Sequence, residues 1–335
     1  MRFGWFLLSV LVGLGCGSDE AGDAAGPAPC GVVCDSMALV QGGKFRMGSP
    51  EGEGTDRSQP QHLVDIAAPY FMDPLLVTNG QFAAFLQVNG LDCSFQGQAF
   101  RCYDCSDDAK VDAGIDCDTL ATTNKCTNEP GGEASGSCDN HPVTAVTWYG
   151  ANAYCQAVGK RLPTEAQWER AANGPGGIDG GIWQRFSWGS DCPAEFNETE
   201  DECSTFTDSA ICLGASWTPQ TARANCLEAY CNDGFDGTSP VGWFESGKTA
   251  EGLYDMTGNI MEWVDDCWHE SYAPTSGAQP PADGSAWATQ CDGPRRAATG
   301  GGWLDCGSNL RMAFRGGDIL EASDPDLGFR CAHDF

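Results

Sequence analysis

Residues 141–174 read HPVTAVTWYGANAYCQAVGKRLPTEAQWERAANG, and this is the most regular stretch of the chain. A short apolar run, Val143 to Val146, predicts a strand that leads into a helix. Thr147 is placed to cap that helix, because a threonine oxygen can accept one of the backbone N–H groups left open at a helix start. Trp148, Ala151, Tyr154 and Cys155 fall near one face at helical spacing. Gly159 and Lys160 end the helix, Pro163 restarts the chain, and Thr164 with Gln167 forms the signature of a capping box for a second helix through Ala172.

The flanking sequence agrees. MALVQGGKFRMGSPEGE, residues 37–53, alternates apolar and polar residues around Gly42–Gly43, which predicts a strand, a tight turn and a second strand. HLVDIAAPYFMD, residues 62–73, is a further strand candidate. VTNGQFAAFLQVNG, residues 77–90, predicts a helix with a Thr78/Gln81 capping box and with Phe82, Phe85 and Leu86 on one face. The 335 residues contain 44 Gly and 11 Trp. Long helical patterns are scarce, so the expected fold class is α+β with much irregular structure. The length suits one large domain or two ordinary ones.

Three features of the N-terminus and composition indicate export. MRFGWFLLSVLVGLGC has one arginine, an apolar run and small residues before Cys16, the pattern of a secretion signal (residues 1–16) too short to span a bilayer as a helix. A cysteine at that point suggests lipid attachment at Cys16. Residues 17–36 lack a large apolar cluster and are expected to form a flexible tether. The chain carries 19 cysteines, too many for a reducing compartment in an ordinary protein, and no repeated CxxC of zinc-site spacing. The expected location is therefore a bacterial cell envelope, with a lipid anchor in the outer membrane or free secretion. Six cysteines crowd residues 93–138 and five crowd residues 190–231, which mark two Cys-rich insertions in a domain spanning 37–335. Cys267 and Cys291 flank a single loop and are placed to close it.

A formal net charge of −29 repels nucleic-acid phosphates and anionic membrane surfaces. No nucleic acid is expected as a partner, and the membrane only through the N-terminal lipid. The chain has no GxxxxGK[ST], no HExxH and no GxSxG, so phosphoryl transfer, zinc proteolysis and serine hydrolysis have no support. The four histidines, His62, His141, His269 and His333, are scattered.

Several segments together resemble one family. ALVQGGKFRMGSPEGE, VTNGQFAAF, PVTAVTWYGANAYCQAVGKRLPTEAQWERAA, FSWG, GLYDMTGNIMEW and GGGWLDC…NLRMAFRGG…LGFRCA occur in this order, and they resemble the formylglycine-generating enzyme, or sulfatase-modifying factor, family. The resemblance implies a modified C-type-lectin-like fold and a disulfide between Cys155 and Cys331. It also implies two calcium sites. One uses side chains of Asn225 and Asp233 with backbone oxygens of Cys226 and Phe235. The other uses Asp255 and Glu262 with backbone oxygens of Gly258 and Ile260. Oxygen-bearing side chains beside glycine-rich turns suit a hard cation.

The family's oxidation of a sulfatase cysteine implies two cysteines five positions apart that hold copper(I). Cys306 matches the first. The second falls on Arg311, which stays protonated and cannot ligate a metal, and Trp303 stands where a pocket serine is expected. Copper is therefore not expected, while calcium is. Pairing the other cysteines leaves Cys192, Cys203, Cys212, Cys226, Cys231 and Cys306, an even set, which favours a structural disulfide for Cys306 over a free catalytic thiol. The expected function is a non-copper binding or scaffolding module, monomeric, for an exported protein or peptide or for a glycan. Two rivals remain: a sulfatase cysteine oxidase, or a related oxidation, that uses Cys306; and a carbohydrate-binding lectin-like module.

Overall fold

The computed structural model describes residues 36–103, 115–116, 121–122, 138–175, 184–189, 222–226, 233–273, 277, 279–305 and 309–335. Among these, three α-helices sit against several small sheets. The first strands are β1 (Ala38–Val40), β2 (Gly43–Met47), β3 (His62–Ile66) and β4 (Tyr70–Met72). The tight turn expected at Gly42–Gly43 does not join β1 and β2 into a hairpin, for they do not pair with each other. β1 pairs with β4, and β2 pairs with β3. The reason is local crowding: a Cβ at Gly42 would lie 2.3 Å from the Ile66 carbonyl oxygen. The chain passes so close to the end of β3 that β2 is diverted onto it. The single strand expected over residues 62–73 is two strands, β3 and β4, split at Ala67–Pro69 because proline cannot extend a ladder.

Helix α1 (Asn79–Asn89) has the capping box the sequence signals. Gln81 N–H donates to Thr78 Oγ1, and Thr78 N–H donates to Gln81 Oε1 at 3.0 Å. Phe82 and Leu86 are fully buried and Phe85 packs beside them. A hairpin follows, β5 (Asp92–Phe95) with β6 (Gln98–Arg101), closed by the Cys93–Cys102 disulfide. Its side chains Phe95 and Phe100 contact Trp148 and Tyr149. The first eleven residues of the 93–138 insertion are thus part of the core packing, because the aromatic residues on the hairpin bury against the next helix. Short strands β7 (Ile115–Asp116) and β8 (Ala121–Thr122) pair with each other. The rest of that insertion, and most of 190–231, lies outside the described residues, as do Cys16, Cys306 and residues 1–35.

Helix α2 (Trp148–Ala157) and helix α3 (Glu165–Asn173) form where the opening stretch places them, but the strand expected over Val143–Val146 does not: Ala145 turns left-handed at φ 55°, and Pro142 and Val146 make only isolated bridges, to Thr78 and Tyr103. Thr147 Oγ1 accepts from Gly150 N–H, and Thr164 with Gln167 forms a complete capping box. The remaining strands are β9 (Met261–Cys267), β10 (Arg295–Thr299), β11 (Arg315–Ile319), β12 (Leu327–Gly328) and β13 (Ala332–Asp334). They form a four-stranded sheet in the order β11-β10-β9-β12 and complete a three-stranded sheet, β1-β4-β13. Among the described residues only β9 and β12 run parallel.

Two apolar clusters fill the space between these layers. One gathers Phe82, Trp148, Tyr154, Trp263 and Phe329, and the other gathers Phe45, Trp168, Trp268, Tyr272 and Trp287. Buried tryptophans need a partner for the ring N–H. Here Trp148 Nε1 donates to Val264 O and Trp263 Nε1 to Val146 O, each at 2.9 Å. These paired bonds lock β9 to the turn before α2. Disulfides Cys155–Cys331 and Cys267–Cys291, each with Cα atoms 5.6 Å apart, join α2 to the C-terminal end and close the loop after β9. No helix among the described residues is long and apolar enough to cross a membrane.

Candidate functional site

The arm between β10 and β11, residues 300–314, carries the candidate catalytic position. Its glycines are dictated by close approach. Gly301 has φ +62°, and a Cβ there would lie 2.4 Å from Asn309 O; a Cβ at Gly302 would lie 2.9 Å from Asp326. Only a residue without a side chain lets the two ends of the arm meet. Asp305 fastens the meeting: it accepts Gly302 N–H at 2.8 Å and Asn309 Nδ2–H at 2.9 Å. The described residues on either side of Cys306 are therefore held together across the loop.

Trp303 is half-buried, with its backbone N–H on Asn259 O at 2.9 Å and its ring N–H on Pro325 O at 3.3 Å. The indole lies along the 324–326 turn. Burial raises the Asp305 carboxyl above its ordinary range. At Asp326 burial, with neighbouring Asp305 and Asp324, pushes the value up to about 6. Arg311 is 2% exposed, and its Nη1 donates to Ser49 Oγ at 2.9 Å. The position that the resemblance assigns to a second copper cysteine thus holds a buried guanidinium bonded to the loop between β2 and β3.

The calcium candidates lie in two turns pressed against each other. Gly258, with φ +83°, would place a Cβ 2.2 Å from Asn225 O. Asp255 and Asn259 on either side of it are also left-handed, at φ 57° and 66°. Such conformations are tolerated best by Asp, Asn and Gly, and clusters of them concentrate at functional sites.

In the first oxygen set, Asn225 and Asp233 are buried. Asp233 accepts the N–H groups of Cys226 and Phe235, both at 2.8 Å, and Asn225 Nδ2 donates to Gly237 O at 2.9 Å. Asn225 Oδ1 is buried with no hydrogen-bond partner. An orphaned carbonyl oxygen beside a buried carboxylate fits a calcium ligand, since leaving it unpaired costs about 1–3 kcal/mol. In the second set, Glu262 is fully buried and forms a two-pronged pair with Arg330, Nε to Oε2 at 2.7 Å and Nη2 to Oε1 at 2.8 Å. Asp255 accepts Gly242 N–H at 2.8 Å, and burial pushes its carboxyl up to about 6. There the chain's own cation already meets the Glu262 charge. Cys226 is itself disulfide-bonded.

One cluster has no counterpart in the sequence reading. Every residue of α3 is buried, including Glu165, Glu169 and Arg170. Arg315 pairs with both oxygens of Glu165 and also donates to Arg57 O at 2.8 Å and His269 O at 3.1 Å. Glu169 accepts Gly48 N–H at 2.7 Å, and Asp266 accepts the N–H groups of Glu165 and Trp287. Burial pushes Glu169 up to about 8 and Asp266 up to about 7, the latter against the pull of its two backbone donors. The available signal was Glu165 and Glu169 one helical turn apart in a helix whose remaining residues are mostly apolar or small. This cluster holds β2, α3, β9 and β11 together rather than opening to solvent.

Similarity to known proteins follows the same outline. The sulfatase-modifying factor enzyme 1-like domain matches residues 24–335. A formylglycine-generating enzyme of Streptomyces coelicolor is 30% identical, over 95% of this chain and 95% of that protein. The inactive C-alpha-formylglycine-generating enzyme 2 of Bos taurus is 28% identical, over 89% and 87% respectively. Among solved structures, PvdO from Pseudomonas aeruginosa shares the fold with a TM-score of 0.58 at 24% identity, covering 93% of this chain and 100% of that one. Treponema denticola variable protein 1 does so at 0.54 and 19%. With the ordered motifs, the α+β core and the family domain extending over nearly the whole described chain, the protein belongs to the sulfatase-modifying factor (formylglycine-generating enzyme-like) family.

Proposed function

We propose that this family member is an exported, lipid-anchored binding or scaffolding module that does not use copper. The observation that carries the proposal is Arg311. A guanidinium offers five donors and no acceptor, and this one is buried and bonded to Ser49. Copper(I) needs soft sulfur ligands, and Cys306 alone supplies one. Trp303 adds a bulky ring where the family pocket has a serine. The binding partner is an exported protein or peptide, or a glycan.

Purified protein, incubated in air with copper, reductant and a CxPxR peptide, should leave that cysteine unchanged in mass. Copper-dependent conversion to the aldehyde, abolished by Cys306→Ala, would establish the oxidase instead. Anchoring at Cys16 is read from the mass of the mature N-terminal peptide, which should carry a diacylglyceryl group; an unmodified peptide would exclude it.

Calcium belongs to the same proposal, with the first oxygen set as its principal site. Asn225 and Asp233 would hold the ion with backbone oxygens of Cys226 and Phe235. Asp255, Glu262, Gly258 and Ile260 form the second set, where Arg330 competes for the Glu262 charge. An ion that binds only the folded state stabilises it by mass action, about 2.7 kcal/mol at a hundredfold excess over Kd. The melting temperature should therefore be higher in calcium than in EDTA, and Asn225→Leu should abolish most of the difference. Superimposable melting curves after exhaustive chelation at elevated temperature would remove calcium from the account.

A further inference from the structure

The segment between β2 and β3 is attached in an unusual way. Its neck is closed by Ser49 N–H to Ser58 O at 2.8 Å and by the Ser58 hydroxyl to Ser49 Oγ at 2.9 Å. Three glycines with positive φ, Gly48, Gly52 and Gly54, shape the turns. Between Ser49 and Gln59 the only buried side chains are those of the two serines. No apolar side chain anchors the loop, so hydrophobic burial does not hold it down.

Polar groups from distant parts of the chain do so instead. Arg311 donates to Ser49 Oγ, and its guanidinium lies against Gly54, where a Cβ would come within 2.5 Å of Nη1. Arg185 forms an ion pair with Glu53. Arg315 donates to Arg57 O, and Met312 N–H donates to Arg185 O at 2.9 Å, which ties the two arginine-bearing segments together. The partners are 132 to 262 residues apart in sequence. Ion pairs and charged hydrogen bonds weaken with salt where solvent reaches them, and apolar packing does not. A loop with no buried apolar side chain of its own, held by such bonds and by Tyr272 N–H on Gln59 O at 2.9 Å, opens below the global unfolding free energy.

We propose that residues 49–59 form a polar latch and that Arg311 is its pin. The position which in a copper-binding relative would carry a metal ligand here fastens the loop to the arm that bears Cys306. Opening the latch detaches that arm from its cover and exposes Arg311 and Arg185 together. The inference does not depend on the proposed function, because it concerns how the loop is held, whatever the cleft binds.

Arg57 is exposed and lies inside the loop, so trypsin reports latch opening by cleaving Arg57–Ser58. Cleavage is measured by peptide mass spectrometry on the native full-length protein and normalised to an unstructured reporter peptide in the same digest. Arg311→Met should be nicked at least tenfold faster than the parent. Raising sodium chloride from 50 mM to 0.5 M should accelerate nicking of the parent, through the partly exposed Arg185–Glu53 pair, more than nicking of Glu53→Gln. If Arg311→Met fails to fold, the pair Ser49→Ala and Glu53→Gln, which leave the arm intact, decides the matter: each should raise the nicking rate, and their combination more than either. Nicking that stays at the parental rate in folded Arg311→Met, or in the combined loop variant, would overturn the latch. So would an equal response to salt in the parent and in Glu53→Gln.

Discussion

Arg315→Met is expected to destabilise the protein by about 3–5 kcal/mol, the range seen when one partner of a buried ion pair is removed. Arg315 and Glu165 are 1% and 3% exposed, and the guanidinium is the cation that meets the carboxylate cluster of Glu165, Glu169 and Asp266. Without it Glu165 is left buried and uncompensated. Burial would lower the arginine pKa, but the surrounding carboxylates overcome this and hold it above the usual value. The double variant Arg315→Met with Glu165→Gln should recover a large part of the loss, because it removes the stranded charge. Denaturant midpoints of the four proteins make a double-mutant cycle that measures the coupling; additive losses would refute it.

The same cluster sets a pH dependence. Glu169 and Asp266 titrate near 8 and 7 in the folded protein and at ordinary carboxyl values when unfolded. Between those limits the folded state binds more protons, so stability is fully present below the unfolded values and is lost as pH rises through the folded ones. His141, pushed down to about 4 by burial, acts in the opposite direction, but only below pH 6.5. From pH 6.5 to 8 the melting temperature should therefore fall, and Glu169→Gln should flatten the fall.

Replacing both Cys155 and Cys331 with alanine is expected to cost about 5 kcal/mol, the chain-entropy value for a bridge closing a loop of this length. The two cysteines are 176 positions apart and both are fully buried. The bridge joins α2 to the segment just before β13, so its loss unties the chain leading into the C-terminal strand from the helix. A fall in melting temperature on the order of 10 °C should follow. A loss below about 1 kcal/mol would mean that the remaining bridges already restrict the unfolded chain enough to make this one redundant.

What the residues alone determined is local in origin. The capping boxes at Thr78/Gln81 and Thr164/Gln167 and the cap at Thr147 depend on neighbours within a few positions, and each is found where it was expected. The family was legible for a related reason: its motifs are contiguous runs of residues. Strand pairing was not, because β1 and β2 look like a hairpin by pattern, while the chain at Gly42 runs so close to the end of β3 that a Cβ there would lie 2.3 Å from Ile66 O. The candidate site divides the same way. The sequence showed that Arg311 and Trp303 occupy altered positions, since substitution at a motif position is visible without coordinates. Only the tertiary structure decided that Arg311 binds Ser49, 262 positions away, that Glu262 is clamped by Arg330, and that Arg315 pairs with Glu165 beside buried Glu169 and Asp266. These are long-range polar contacts. They carry no periodicity, and their energies come from burial, which exists only once the chain has folded.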